Sequence, residues 1–147
     1  MEPTFTTKPA FTVVGMLYRG RNETGQEIPQ LWDVFIPRRD EIKNRTDIAY
    51  GVMGNYDPAT GEFDYLAGFG VDRVDDIPEG MKRWDVPEQK YAVFTCTLRT
   101  LRQTYDAIYR QWLPQSGHEH AGSVEFELYD EHFEGDDSDM YIYVPIR

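Results

Sequence analysis

The chain has 147 residues, with 26 Asp and Glu against 15 Lys and Arg, for a net charge of −11 at pH 7. A surface this acidic repels a phosphate backbone, and no basic stripe with interleaved aromatics interrupts it, so direct nucleic-acid and anionic-membrane binding are excluded as expectations. Apolar runs fall far short of the roughly 20 residues a membrane span needs, Met1-Glu2-Pro3-Thr4 lacks signal-peptide character, and the lone Cys96 forms no internal disulfide, which together point to one cytoplasmic domain over residues 1–147.

Phe11 to Arg19 alternates apolar residues on both faces and reads as a buried strand. After a turn at Gly20 to Gly25, Ile28, Leu31, Trp32, Phe35 and Ile36 recur with helical spacing; Pro29 suits the first turn and Pro37 ends or kinks the helix, with Arg38 to Asn44 adding another turn. Asp47 to Tyr56 and Glu62 to Val74 read as strands joined by a hairpin loop at Asp57 to Gly61, and the second carries Phe63, Tyr65, Ala67, Phe69 and Val71 on one face. Asp75 to Glu88 is a connector with a short edge strand at Met81 to Trp84. The order then repeats: a strand at Lys90 to Thr97, a helix carrying Leu101, Tyr105, Ile108, Tyr109 and Trp112, and strands at Gly122 to Tyr129 and Met140 to Ile146. Thr100 and Gln103 suggest a capping box, Pro114 and Gly117 a helix end, and the last two strands flank a loop with acids at 130, 131, 134, 136, 137 and 139.

This order implies an α+β fold: duplicated strand-helix-strand-strand units, with halves at about 5–74 and 89–147, forming a mainly antiparallel sheet with two helices on one face and a groove between the halves. The clearest internal echo sets Trp32 to Pro37 beside Tyr109 to Pro114.

Ser123 to Tyr129 carries the most chemistry. As a strand it sends Val124, Phe126 and Leu128 one way and Glu125, Glu127 and Tyr129 the other. A carboxylate among rings loses water, so its pKa rises unless a cation or a hydrogen-bond donor compensates, and the site either attracts a cation or acts as a general base. A solvated edge strand is the competing reading. The 21 aromatic residues (10 Tyr, 8 Phe, 3 Trp) exceed what a small core needs. Tyr65 and Phe69 share one strand face, Tyr141 and Tyr143 another; Trp84 lies in the connector; Trp32 and Trp112 lie on helical stripes, where a core role competes. His118-Glu119-His120 lacks an evident third metal ligand and reads as a solvated turn; Cys96 reads as a small buried hydrophobe. No Gly-rich phosphate loop or paired-Cys motif is present, and neither a metal nor a cofactor is expected.

Ile28 to Pro37 with Trp32, Tyr50-Gly51-Val52, Phe63 to Gly68, Pro78 to Trp84, Tyr91-Ala92-Val93-Phe94, Ile108 to Pro114, Phe126-Glu127-Leu128-Tyr129 and Tyr141 to Pro145 occur in an order and spacing that resembles the GyrI-like small-molecule-binding domain, also the effector-binding half of AraC-type and MerR-type regulators. The resemblance covers essentially the whole chain and implies that Glu127 sits at the bottom of an aromatic pocket and meets cationic or planar ligands. The acidic loop from Asp130 to Asp139 departs from the family's pattern and bears on access. Three functions are compatible with the resemblance. The first is a small-molecule-binding protein without its own helix-turn-helix, a sensor or sequestering protein. The second is a hydrolase of strained, cyclopropane-bearing electrophiles in which Glu127 orients or deprotonates water and Tyr65 donates a hydrogen bond. The third is a protein-interaction module such as a gyrase modulator, with an acidic body facing a basic partner. Binding ranks first, because it accounts for the rings without a second catalytic group.

Overall fold

A computed structural model describes residues 2–147. Its strands are β1 (Thr4–Lys8), β2 (Phe11–Gly20), β3 (Arg45–Gly54), β4 (Phe63–Val71), β5 (Lys82–Val86), β6 (Gln89–Cys96), β7 (Glu125–Tyr129) and β8 (Met140–Pro145). They form one eight-stranded sheet in the order β1-β6-β8-β7-β3-β4-β2-β5, and every neighbouring pair is antiparallel. The helices α1 (Glu27–Phe35) and α2 (Leu101–Ala107) both pack on one face, where Leu31, Trp32, Phe35, Tyr105 and Ile108 join a core with Val14, Ala67, Phe94 and Ile142.

Each strand-helix-strand-strand run is preceded by one more strand, and that strand crosses to the other half. β1 pairs with β6, and β5 pairs with β2. The two edge pairs have the same register: a shift of 78 positions turns Thr4↔Val93 into Lys82↔Gly15 and Lys8↔Gln89 into Val86↔Phe11. β1 escapes the sequence pattern because an edge strand of Thr and Phe, exposed along most of its length, shows no apolar alternation.

The edge exchange curls the sheet. Only Pro9 and Ala10 link β1 to β2, which bridges at most about 11 Å, yet the two strands are six places apart in the sheet order, about 29 Å if the sheet were flat. Pro87 and Glu88 impose the same closure between β5 and β6. Curling brings Phe11 on β2 to 5.2 Å, ring centre to ring centre, from Phe126 on β7, three strands away. A second core therefore fills the helix-free face, with Tyr50, Tyr91 and Phe126 buried beside Phe11, Trp84 and Tyr143.

Both prolines at the helix ends change the winding. Pro37 falls in a 3-10 segment, Ile36–Glu41, that continues α1, and Pro114 follows a π turn, Ile108–Trp112, that continues α2. A proline has no N–H for the carbonyl four residues back and its ring crowds that carbonyl, so a wider or tighter turn relieves the clash. The capping box is not formed. Thr100 makes no side-chain bond to the helix; its hydroxyl oxygen instead accepts the Thr97 N–H at 3.1 Å, closing the turn out of β6. β7 begins at Glu125 rather than Gly122, whose positive φ of 73° belongs to a turn.

Close packing of β2 on β4 depends on Gly15. A Cβ there would run into the Ala67 carbonyl oxygen and lie 2.5 Å from the Gly68 Cα, all backbone that cannot swing away. Gly15→Ala is expected to destabilise the protein by about 2 kcal/mol or more, read from the urea unfolding midpoint.

Candidate functional site

The alternation of β7 sends Glu125, Glu127 and Tyr129 toward the helices, while Phe126 and Leu128 enter the opposite core. Glu127 is 5% exposed and lies opposite Gly51 of β3. Three phenols close on its carboxylate. Tyr65 of β4 and Tyr129 of β7 donate to Oε1, each at 2.9 Å, and Tyr105 of α2 donates to Oε2 at 2.8 Å. The Trp32 indole N–H donates to the Tyr65 oxygen at 3.0 Å and so ties α1 to the same group. Trp32 also meets the Tyr129 ring edge-on at 5.6 Å.

Tyr65 reaches Glu127 only by crossing β3, which lies between their strands. The crossing point is Gly51. A Cβ there would run into the Tyr65 hydroxyl, 2.6 Å from the ring carbon that bears it and 2.8 Å from Glu127 Oε1. The absence of a side chain at Gly51 is thus a condition of the hydrogen bond.

Burial raises the Glu127 pKa above the ordinary carboxylate value, although all three phenol hydrogen bonds favour the charged form. Burial and the adjoining carboxylate hold Tyr65, Tyr105 and Tyr129 well above the usual phenol value, so they remain donors. Glu125 has a similar setting one step along the strand. Tyr109 donates to its carboxylate, and His120 Nε2 lies 3.5 Å away. Burial, then the charge of Glu127, pushes Glu125 up to about 8, and burial lowers His120. At pH 7 Glu125 is therefore mainly protonated and His120 mainly neutral, so the two are not an ion pair.

Of the residues the sequence nominates, Glu127, Tyr65 and Trp32 come together. Phe69 shares their face but packs on Phe35 at 6.0 Å, under the Arg45 guanidinium at 4.9 Å. Trp112 also lies on that face, packed edge-on against Phe94 at 5.0 Å and parallel to His118 at 6.1 Å. Trp84, Tyr141 and Tyr143 are not brought to Glu127: they lie on the opposite face of the sheet. Register sets Leu128 beside Tyr141 and Phe126 beside Tyr143, whose rings stack at 4.5 Å. Trp84 stands opposite Val13, in the helix-free core. Tyr141 and Tyr143 instead line a shallow cleft of about 430 Å³ with Thr6, Thr95, Leu128 and Asp130. His120 Nδ1 accepts the Gly122 N–H at 2.9 Å, and among the described residues no cluster of three metal-ligating side chains occurs. Burial pushes the Cys96 thiol up to about 11, so it is no nucleophile at neutral pH.

Sequence reasoning missed Tyr105, Tyr129 and Gly51 as parts of the site. The signal was present in the spacing: Tyr105 and Tyr109, one helical turn apart, serve Glu127 and Glu125, one strand repeat apart.

Residues 4–146 match the family described as integron-associated effector binding proteins. The chain belongs to that family. Its motifs and topology are those of a GyrI-like effector-binding domain. The transcriptional regulator BrlR of Pseudomonas aeruginosa is 42% identical over 153 residues, covering 99% of this chain and 56% of BrlR, so the chain spans about half the length of that curated relative. Among solved structures, SAV2435 with tetraphenylphosphonium bound superposes on the effector-binding domain with a TM-score of 0.80 and 18% identity, over 100% of this chain and 94% of that one. The integron cassette protein VCH_CASS2 of Vibrio cholerae gives a TM-score of 0.72 and 20% identity, over 99% and 96% of the two chains. At these identities the likeness establishes a shared fold. No helix among the described residues is long and apolar enough to cross a membrane.

Gly51→Ala is expected to separate Tyr65 from Glu127 and cost about 1 to 3 kcal/mol, visible as a lower thermal midpoint. A carboxyl whose pKa is raised by folding keeps a proton that the unfolded chain releases near its ordinary value of about 4.3. Its stabilising contribution is whole below that value and is lost as pH rises toward about 8. Glu125→Gln is therefore expected to flatten the fall in stability between pH 5 and 8, measured by urea unfolding at each pH.

Proposed function

We propose that the protein binds hydrophobic organic cations on its helix-bearing face, as a sensor or sequestering protein, with Glu127 as counter-charge and Tyr65, Tyr105, Tyr129 and Trp32 as the surrounding rings. The observation that carries this reading is a buried carboxylate whose partners are neutral phenols. Among the described residues no Lys, Arg or His pairs with it. A buried carboxylate without a counter-ion is costly to ionise, and a cation brought beside it removes that cost. Each ring that meets the cation face-on adds roughly 0.5 to 2 kcal/mol, which favours broad tolerance over precise fit.

Three further features support the reading. The solved structure of SAV2435 holds tetraphenylphosphonium in the same fold, and BrlR is a transcriptional regulator. The acids between Asp130 and Asp139 follow β7 directly and draw cations toward that end of the molecule. Tyr65 and Tyr129 are fixed on strands, so the movable walls are Tyr105 on α2 and Trp32 on α1, and a ligand reaches Glu127 by displacing one of them. Hydrolysis is less well served: three phenols occupy both carboxylate oxygens, and the nearby Cys96 thiol is protonated.

Calorimetric titration of tetraphenylphosphonium into the wild type and Glu127→Gln tests the assignment. The substitution is expected to weaken binding at least about tenfold. Wild-type affinity is expected to rise with pH, because the cation favours the ionised carboxylate. Equal affinities for the two proteins would refute the role of Glu127.

A further inference from the structure

The carboxylate site has two rungs. Four residues of helix rise about 6 Å and two residues of strand about 6.7 Å, so phenols four apart, one on α2 and one on the π turn that continues it, match carboxyls two apart on β7. Tyr105 meets Glu127 and Tyr109 meets Glu125. The rungs differ in depth. Glu127 is 5% exposed, whereas Tyr109 is 37% exposed and the Glu125 side chain 14%. A molecule entering along α2 therefore meets Glu125 first and Glu127 at the end.

We propose that this site selects dications, organic molecules with two positive centres spaced like the two carboxyls, the inner centre held at Glu127 and the outer at Glu125. The proposal rests on the reading that Glu127 receives a cation. The groups facing Glu125 are Tyr109 from the π turn that continues α2, Tyr105 from α2, His120 from the segment before β7, Glu127 on the same strand, and Met53 opposite on β3. None is a cation at neutral pH, so Glu125 is uncompensated in the same way as Glu127. A monocation seated at Glu127 leaves the outer carboxyl protonated. A second positive centre ionises it: the carboxyl O–H bond breaks, the electron pair stays on the carboxylate, and the proton passes to buffer. Selectivity is thus coupled to proton release.

A matched pair of two-ring probes tests this: N,N′-dimethyl-4,4′-bipyridinium, a dication, and N-methyl-4-phenylpyridinium, a monocation with the same skeleton. Calorimetry at pH 7 in two buffers of different ionisation enthalpy gives affinity and protons released. The wild type is expected to bind the dication at least about tenfold more tightly and to release more protons with it. In Glu125→Gln both differences are expected to disappear. Equal affinity and equal proton release in the wild type, with monocation binding still dependent on Glu127, would overturn the second rung and leave the first intact. A dication preference that survives Glu125→Gln would place the second charge elsewhere, such as the acidic loop, and also overturn it. If neither probe depends on Glu127, both readings fail. The comparison of probes in the wild type needs no variant, so a folding defect in Glu125→Gln does not remove the test.

Discussion

A carboxylate removed from water has to be satisfied by what surrounds it, and much of this molecule is arranged around that requirement at Glu127. Its donors come from β4, β7 and α2, and α1 is added through the indole of Trp32. These elements come from both halves of the chain, so the two helices are fixed relative to the sheet by polar bonds to one buried group as well as by apolar packing. The same requirement places a glycine at position 51, because a phenol cannot cross β3 over any side chain. Phenols satisfy this position by donating hydrogen bonds without bringing charge.

The curled sheet separates the aromatic residues into two groups with different work. On the helix-free face, Phe11, Tyr50, Tyr91, Phe126 and Tyr143 pack ring on ring at 4.5 to 5.5 Å and form a core that no helix covers. On the helix face, Tyr65, Tyr105, Tyr129 and Trp32 turn polar atoms toward Glu127. The aromatic surplus is therefore only partly a feature of the site, and the exchange of β1 and β5 between halves explains the remainder. Short links that tie opposite edges together force the sheet to enclose its own second core.

Most of the architecture was legible because its signals are local. Alternation marked the inner strands, the apolar stripes marked both helices, and Pro37 and Pro114 marked where those helical stripes end or kink. β1 was not legible, since an exposed edge strand needs no apolar face. The capping box failed for a different reason: Thr100 had an alternative partner, Thr97, which only the turn geometry offered. At the site, the orientation of Glu127 followed from alternation within one strand. Tyr105 read as one more member of an apolar helical stripe, because a buried phenol with a partner and one without look alike in sequence.

Within each element, the order of residues dictates which side chains share a face, and it singles out Glu127 as the carboxylate framed by rings. Which faces then meet is settled by the folded chain alone. Tyr141 and Tyr143 share a face just as Tyr65 and Phe69 do, but pairing of β7 with β8 in the register Leu128↔Tyr141 turns them away from Glu127. A shift of one residue in that register would have turned them toward it, since side chains alternate with a period of two. Register depends on turns, edges and long-range packing, and these are properties of the folded chain rather than of any one segment.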